Sequence, residues 1–151
     1  MRETSILTMP SLQGWPRSMR MNLPGLRFPQ FWRALAILAT VVVVVLSLIP
    51  KPPEPPGFLA WDKAQHFTAY GGLAGIWLQA TSGRRTLAVI CGLLALGATM
   101  EWLQSYSVFR TTDVMDMLAN TVGVGIGTVL CLTPLGRLAA GAEWLMLKVL
   151  S

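Results

Sequence analysis

Polar side chains able to do chemistry recur at helical spacing between residues 62 and 120. The set comprises Asp62, Lys63, His66, Tyr70, Glu101, Gln104, Arg110, Asp113, Asp116 and Asn120. An imidazole exchanges a proton near neutral pH, and a neighbouring carboxylate can orient it for general acid–base catalysis. His66, Glu101 and Asp116 are therefore the catalytic candidates, although their role in any reaction is unknown from sequence alone.

The same residues allow other interpretations. Lys63 and Arg110 could bind an anionic headgroup or a phosphate. His66 could instead be a polar clamp between helices. A divalent ion on Asp113, Asp116 and Glu101 is chemically feasible, but carboxylates beside basic residues are more often paired with them. The sequence therefore predicts no metal and no cofactor.

Spacing indicates which elements must position these side chains. At about 100° per residue, Asp62, Lys63, His66 and Tyr70 share one arc of a helix. Glu101 and Gln104 are an i, i+3 pair on a second helix. Asp113, Asp116 and Asn120 are spaced i, i+3, i+7 on a third. Charges exposed to lipid are costly, so we expect the three polar faces to turn toward one another.

Composition identifies the surroundings of these helices. The 151 residues are 53% hydrophobic and 13% charged, whereas soluble domains carry about 25% charged residues. This excludes an ordinary soluble domain and a disordered chain. Of the net charge of +5, most lies in residues 1–33, which hold five arginines against Glu3. A basic flank beside an apolar segment is typical of membrane proteins, so nucleic acid is not a predicted partner.

The apolar segments predict an all-α integral membrane bundle with four transmembrane helices. We divide the chain into a basic N-terminal arm (1–33), a first transmembrane helix that acts as an uncleaved signal anchor (34–49), a Pro-rich outer linker (50–57), a three-helix membrane domain (58–133) and an amphipathic C-terminal tail (134–151). The arginine-rich arm and the Arg84-Arg85 turn place both termini in the cytoplasm. The polar faces then share one depth near the outer surface.

Two pairs of glycines have the spacing that allows close helix packing in lipid: Gly71 with Gly75, and Gly123 with Gly127. In so short a chain we expect them to pack helices of the same molecule. The alternative is that these glycines pack helices of two different molecules in a homo-oligomer.

Three short motifs complete the pattern: Asp62-Lys63-x-x-His66-Phe67, Glu101-x-x-Gln104, and Arg110-x-x-Asp113-x-x-Asp116-x-x-x-Asn120-Thr121. As a set, over roughly residues 60–130, they resemble the VanZ-like family, whose namesake is an accessory protein of glycopeptide (teicoplanin) resistance. The resemblance implies a small multi-span membrane protein of poorly defined activity, with these motifs as its signature residues. The Pro-rich linker and the basic arm are not part of that pattern.

We therefore expect a multi-pass protein of the cell inner (cytoplasmic) membrane. Its partners would be the lipid bilayer and an anionic lipid or lipid-linked envelope precursor, and its role would be to bind or handle that component or to contribute to glycopeptide tolerance. One alternative is a membrane enzyme that uses His66 and Glu101 on a lipid-linked substrate. The other is a structural or partner subunit whose polar residues only pack helices.

Overall fold

The computed structural model describes residues 23–49, 56–106 and 113–150, and the regular elements in these ranges are all helical. The α-helices are α1 (Pro29–Leu48), α2 (Asp62–Ala80), α3 (Thr86–Gln104), α4 (Val114–Leu130) and α5 (Leu138–Leu150). Short 3-10 helices precede α2 (Gly57–Ala60) and α5 (Pro134–Arg137). The prediction of an all-α chain is confirmed.

Helix α2 lies at the centre of the fold and packs against α1, α3 and α4. Its inward residues include Tyr70, Leu73, Ala74 and Leu78, all almost fully buried. Because α2 is surrounded by other helices, it can carry polar side chains that a lipid-exposed helix could not.

The α2–α4 pair is the most extensive helix contact, and glycine makes it close. A Cβ on Gly123 would overlap the carbonyl oxygen of Phe67, and one on Gly127 would overlap that of Gly71. A Cβ on Gly75 would meet nothing within 4 Å. Gly71, Gly123 and Gly127 thus lie between two helices of one chain, as intramolecular packing requires.

Side-chain hydrogen bonds attach α1 to the other helices. The indole Nε1 of Trp77 donates to Oγ1 of Thr40 at 3.0 Å, and Nε2 of Gln104 donates to the carbonyl oxygen of Ser47 at 2.7 Å. These bonds hold α1 alongside α2 and α3.

Glu143 of α5 holds the beginning of α1. Its carboxylate accepts from the backbone N–H groups of Arg27 (2.7 Å) and Phe28 (2.9 Å) and from the indole N–H of Trp32 (2.9 Å). An acid at a helix N-terminus accepts hydrogen bonds from backbone N–H groups that have no partner within the helix. Its negative charge also interacts favourably with the partial positive charge at that end of the helix. Three apolar side chains of α5, Leu138, Leu145 and Val149, are exposed.

Two described helices, α1 and α3, are long and apolar enough to cross a membrane. Helices α4 and α5, which meet at a bend of 75°, would provide a third crossing if they count as one span. By the same measure α2 does not qualify, since Asp62, Lys63 and His66 reduce its hydropathy. The chain is therefore a helical protein with two or three helices suited to a membrane.

Candidate functional site

The predicted polar residues meet at one end of the bundle, where α2 and α4 begin and α3 ends. We call this group the polar cluster; it contains Asp62, Lys63, His66, Tyr70, Glu101, Gln104, Asp113, Asp116 and Asn120. Arg110 falls outside the described residues. The N-terminal ends of α2 and α4 favour the three aspartates, because a helix N-terminus carries partial positive charge.

Lys63 bridges the N-terminal ends of α2 and α4. Its Nζ lies 2.5 Å from Oδ2 of Asp113 and 2.9 Å from Oδ1 of Asp116. Asp113 also caps α4 by accepting from the backbone N–H of Met115 at 2.8 Å. The hydrogen bond from Lys63, followed by that from Met115, lowers the pKa of the Asp113 carboxyl below its ordinary value. Lys63 is thus already engaged with two carboxylates.

The two ring nitrogens of His66 lie near different partners. Its Nδ1 lies 3.1 Å from Oδ1 of Asn120, and an amide oxygen only accepts, so Nδ1 is the donor. The lone pair of a neutral ring is then on Nε2, which is 3.9 Å from Oδ2 of Asp62. Asp116 is also near: one donor atom from each of Asp62, His66 and Asp116 falls within 4.8 Å of the others.

Glu101 is buried without a hydrogen-bond partner. The residue is 4% exposed, and neither carboxyl oxygen has a partner within the described parts of the chain. The backbone N–H of Asp113 approaches the carboxyl group without reaching hydrogen-bond geometry. Gln104, one turn later and equally buried, has its bond to Ser47. Two residues of similar burial on one helix therefore differ in whether they are satisfied.

Two other residues of the polar cluster, Tyr70 and Asn120, also carry buried polar atoms near Glu101. The hydroxyl of Tyr70 and Nδ2 of Asn120 are also buried and have no hydrogen-bond partner in the described ranges. Tyr70 is close enough to Glu101 to interact with it electrostatically. Both side chains pack on Gly97 of α3, where a Cβ would lie 3.2 Å from Nδ2 of Asn120 and 3.4 Å from Cε1 of Tyr70. We did not single out Gly97 from sequence, although its position four residues before Glu101 puts it on the same helix face.

The charge of the polar cluster is unbalanced. The acids Asp62, Glu101, Asp113 and Asp116 face a single described base, Lys63, together with the ring of His66. Such a site favours a proton, a cation or a ligand that donates hydrogen bonds. The described residues do not by themselves favour an anion.

Comparison with known proteins places this arrangement in a family. The model of the VanZ/LLP1 family matches residues 4–137, which include the polar cluster and also the basic arm and α1. An uncharacterized protein of Schizosaccharomyces pombe is 28% identical over 102 residues, covering 64% of this chain and 60% of the relative. The chain thus matches about three fifths of that relative's length, and no solved structure matches significantly. Because the family match extends over most of the sequence, the chain belongs to the VanZ/LLP1 family.

Proposed function

We propose that the polar cluster binds the headgroup of an envelope lipid or of a lipid-linked envelope component. The observation that carries this proposal is the set of buried polar atoms without partners on Glu101, Tyr70 and Asn120, at an end of the bundle where Asp62 is exposed. These atoms provide acceptors and donors that a ligand can use.

A role limited to helix packing predicts a different arrangement. Polar residues that clamp helices together satisfy one another, as Gln104 does with Ser47. A buried group left unsatisfied costs about 1–3 kcal/mol, so a purely structural cluster gains nothing from Glu101. Unfavourable polar groups retained in a protein interior are typical of binding and catalytic sites.

The ligand must suit an acidic site. Lys63 is held by Asp113 and Asp116, so an anionic headgroup needs a cation between it and the carboxylates. A headgroup with hydroxyl or ammonium donors can bind Glu101 directly. Glycopeptide tolerance would follow if the bound component is one that a lipophilic glycopeptide approaches in the membrane.

The proposal includes a topology in which α1 to α4 each cross the cytoplasmic membrane, with both termini inside and the polar cluster near the outer surface. Helix α2 then crosses the membrane in contact with α1, α3 and α4. In a background with Cys91 and Cys131 replaced by alanine, Tyr106→Cys should react with an impermeant thiol reagent from outside, and Ser82→Cys only after the membrane is opened. The reverse labelling would contradict an outward-facing cluster.

Retained lipid tests the binding function. We would purify the full chain in mild detergent and identify bound lipid by native mass spectrometry for the unmodified protein, His66→Ala and Glu101→Ala. Both variants should lose a specific lipid while folded protein remains abundant. Gln79→Ala is the control: this polar residue of α2 accepts from the N–H of Ala139 at 2.8 Å, away from the cluster, and its variant should keep the lipid. Equal retention in all four proteins would reject the proposal.

A second candidate, an enzyme that performs acid–base chemistry on a lipid-linked substrate, is favoured by one observation. Asn120 holds His66 in a single tautomer, and the carboxyl of Glu101 is close enough to interact electrostatically with the ring. Incubation of the purified protein with envelope lipid extract, followed by mass spectrometry, should then reveal a product, with a rate that rises and falls with pH. No product at any pH would eliminate catalysis and leave binding.

A further inference from the structure

Three side chains of the polar cluster present metal-ligand atoms to a common point. Asp62 and His66 lie one turn apart on α2, Asp116 comes from α4, and one donor atom of each is within 4.8 Å of the others. Donor atoms around a tetrahedral zinc ion are about 3.4 Å apart, since each bond is about 2.1 Å. Side-chain movements of about 1 Å would therefore bring all three into coordination distance.

The ring of His66 is already oriented as a ligand. Histidines that bind metals usually donate their second N–H to an oxygen, which fixes the tautomer and the direction of the free lone pair. Oδ1 of Asn120 accepts from Nδ1 of His66 at 3.1 Å, leaving Nε2 on the side of Asp62.

Glu101 is an independent indication of a ligand. The residue is 4% exposed, its carboxyl has no hydrogen-bond partner among the described residues, and it interacts electrostatically with all three side chains. Glu101 also lies in the last turn of α3, where the helix dipole disfavours negative charge. A bound cation would balance this charge and give the unpartnered oxygens a partner, directly or through water.

We infer that Asp62, His66 and Asp116 bind one divalent transition-metal ion, with Glu101 beside it as a further oxygen donor. Zn²⁺ and Mn²⁺ fit a site of one imidazole and several carboxylates, whereas Mg²⁺ and Ca²⁺ prefer oxygen ligands alone. The sequence predicted no metal, and the set it considered, Asp113, Asp116 and Glu101, shares Asp116 and Glu101 with this site but contains neither Asp62 nor His66. The site stands without the proposed function, but it would let an anionic headgroup bind an acidic cluster.

Lys63 should compete with a metal ion for Asp116. Its ammonium occupies Oδ1 of Asp116, so it competes with a metal for that carboxylate. Replacing Lys63 by methionine should tighten metal binding, whereas loss of a ligand should weaken it. Adventitious binding at surface groups would not respond in opposite directions to these two changes.

The test is equilibrium dialysis of the full chain in detergent, stripped with a chelator, against Zn²⁺ or Mn²⁺. The protein carries no histidine tag and has Cys91 and Cys131 replaced by alanine, so that thiols do not bind zinc. We expect one ion per chain, and Asp62→Asn and His66→Gln should each weaken binding at least about tenfold, as changes around metal sites commonly do. Glu143→Gln, which neutralises a buried acid at the opposite end of α1, should bind like the parent protein.

Asp62 is exposed at the start of α2, so its variant decides the result even if His66→Gln folds poorly. Absence of stoichiometric binding, or equal binding by the parent and Asp62→Asn, would overturn the inference. Because no lipid is present, a negative result here leaves the lipid-retention experiment untouched, and metal binding without lipid retention would reject only the proposed function.

Discussion

The contrast between Glu101 and Gln104 predicts stability changes of opposite sign on one helix. Both residues are 4% exposed, but within the described part of the chain only the Gln104 side chain has a hydrogen bond, to Ser47. Replacing Glu101 by methionine removes an unsatisfied group that costs about 1–3 kcal/mol, against a repacking cost below about 1.5 kcal/mol. We expect a net gain of about 1 kcal/mol in the free energy of unfolding.

Gln104→Met should do the reverse. It removes a bond of 2.7 Å and leaves the carbonyl oxygen of Ser47 without this donor, which should cost about 1–3 kcal/mol. At about 2–4 °C per kcal/mol for a chain of this size, the two variants should differ in Tm by several degrees. The assay is thermal unfolding of the metal-free and lipid-free protein in detergent. A loss of stability in Glu101→Met equal to that in Gln104→Met would show that Glu101 is a packing residue and refute the reasoning.

Three further predictions concern other contacts. Gly123→Ala should destabilise the α2–α4 pair by about 1–3 kcal/mol, while Gly125→Ala, which meets nothing within 4 Å, should be neutral or stabilising by up to about 1 kcal/mol; thermal unfolding compares them, and equal effects would contradict the close contact. Glu143→Ala should lower the free energy of unfolding by about 2–4 kcal/mol in the same assay, because it leaves the N–H donors at the start of α1 without their acceptor. An unchanged Tm would show that these hydrogen bonds do not stabilise the protein. Lys63 lowers the pKa of Asp113, so the stability from this pair is complete above the ordinary value of 3.8 and is lost as the pH falls through the lowered one. Asp113→Asn, which preserves a helix cap, should lose less stability on acidification; an identical acid profile would contradict the pairing.

Hydropathy and spacing predicted much of the fold. The long apolar runs became α1, α3 and α4, because predominantly apolar segments of about this length are typical of membrane helices. Helix α2 shows the limit: its polar start reduces its hydropathy, and only the contacts with three neighbours explain how it is buried. The glycine spacing indicated a close contact, but not that a Cβ on Gly75 would meet nothing within 4 Å.

The polar cluster was predictable as a set, because helical spacing puts its members on faces that must avoid lipid. Partner choice was not predictable. Sequence periodicity gives the face of a helix on which a residue lies, but not the distances between helices. Those distances decide whether Lys63 binds Asp113 or an anionic ligand, and whether Glu101 has a hydrogen-bond partner. The same holds for Glu143, whose partners lie more than a hundred residues earlier in the chain.

The central claim is that the unpartnered groups of the polar cluster serve a ligand. An experimental structure of the full chain in native-lipid nanodiscs tests it most directly. The account predicts density for a headgroup or an ion in contact with Glu101 and the Nε2 side of His66. Well-ordered density in which protein donors alone satisfy Glu101, with no ligand between α2, α3 and α4, would contradict it.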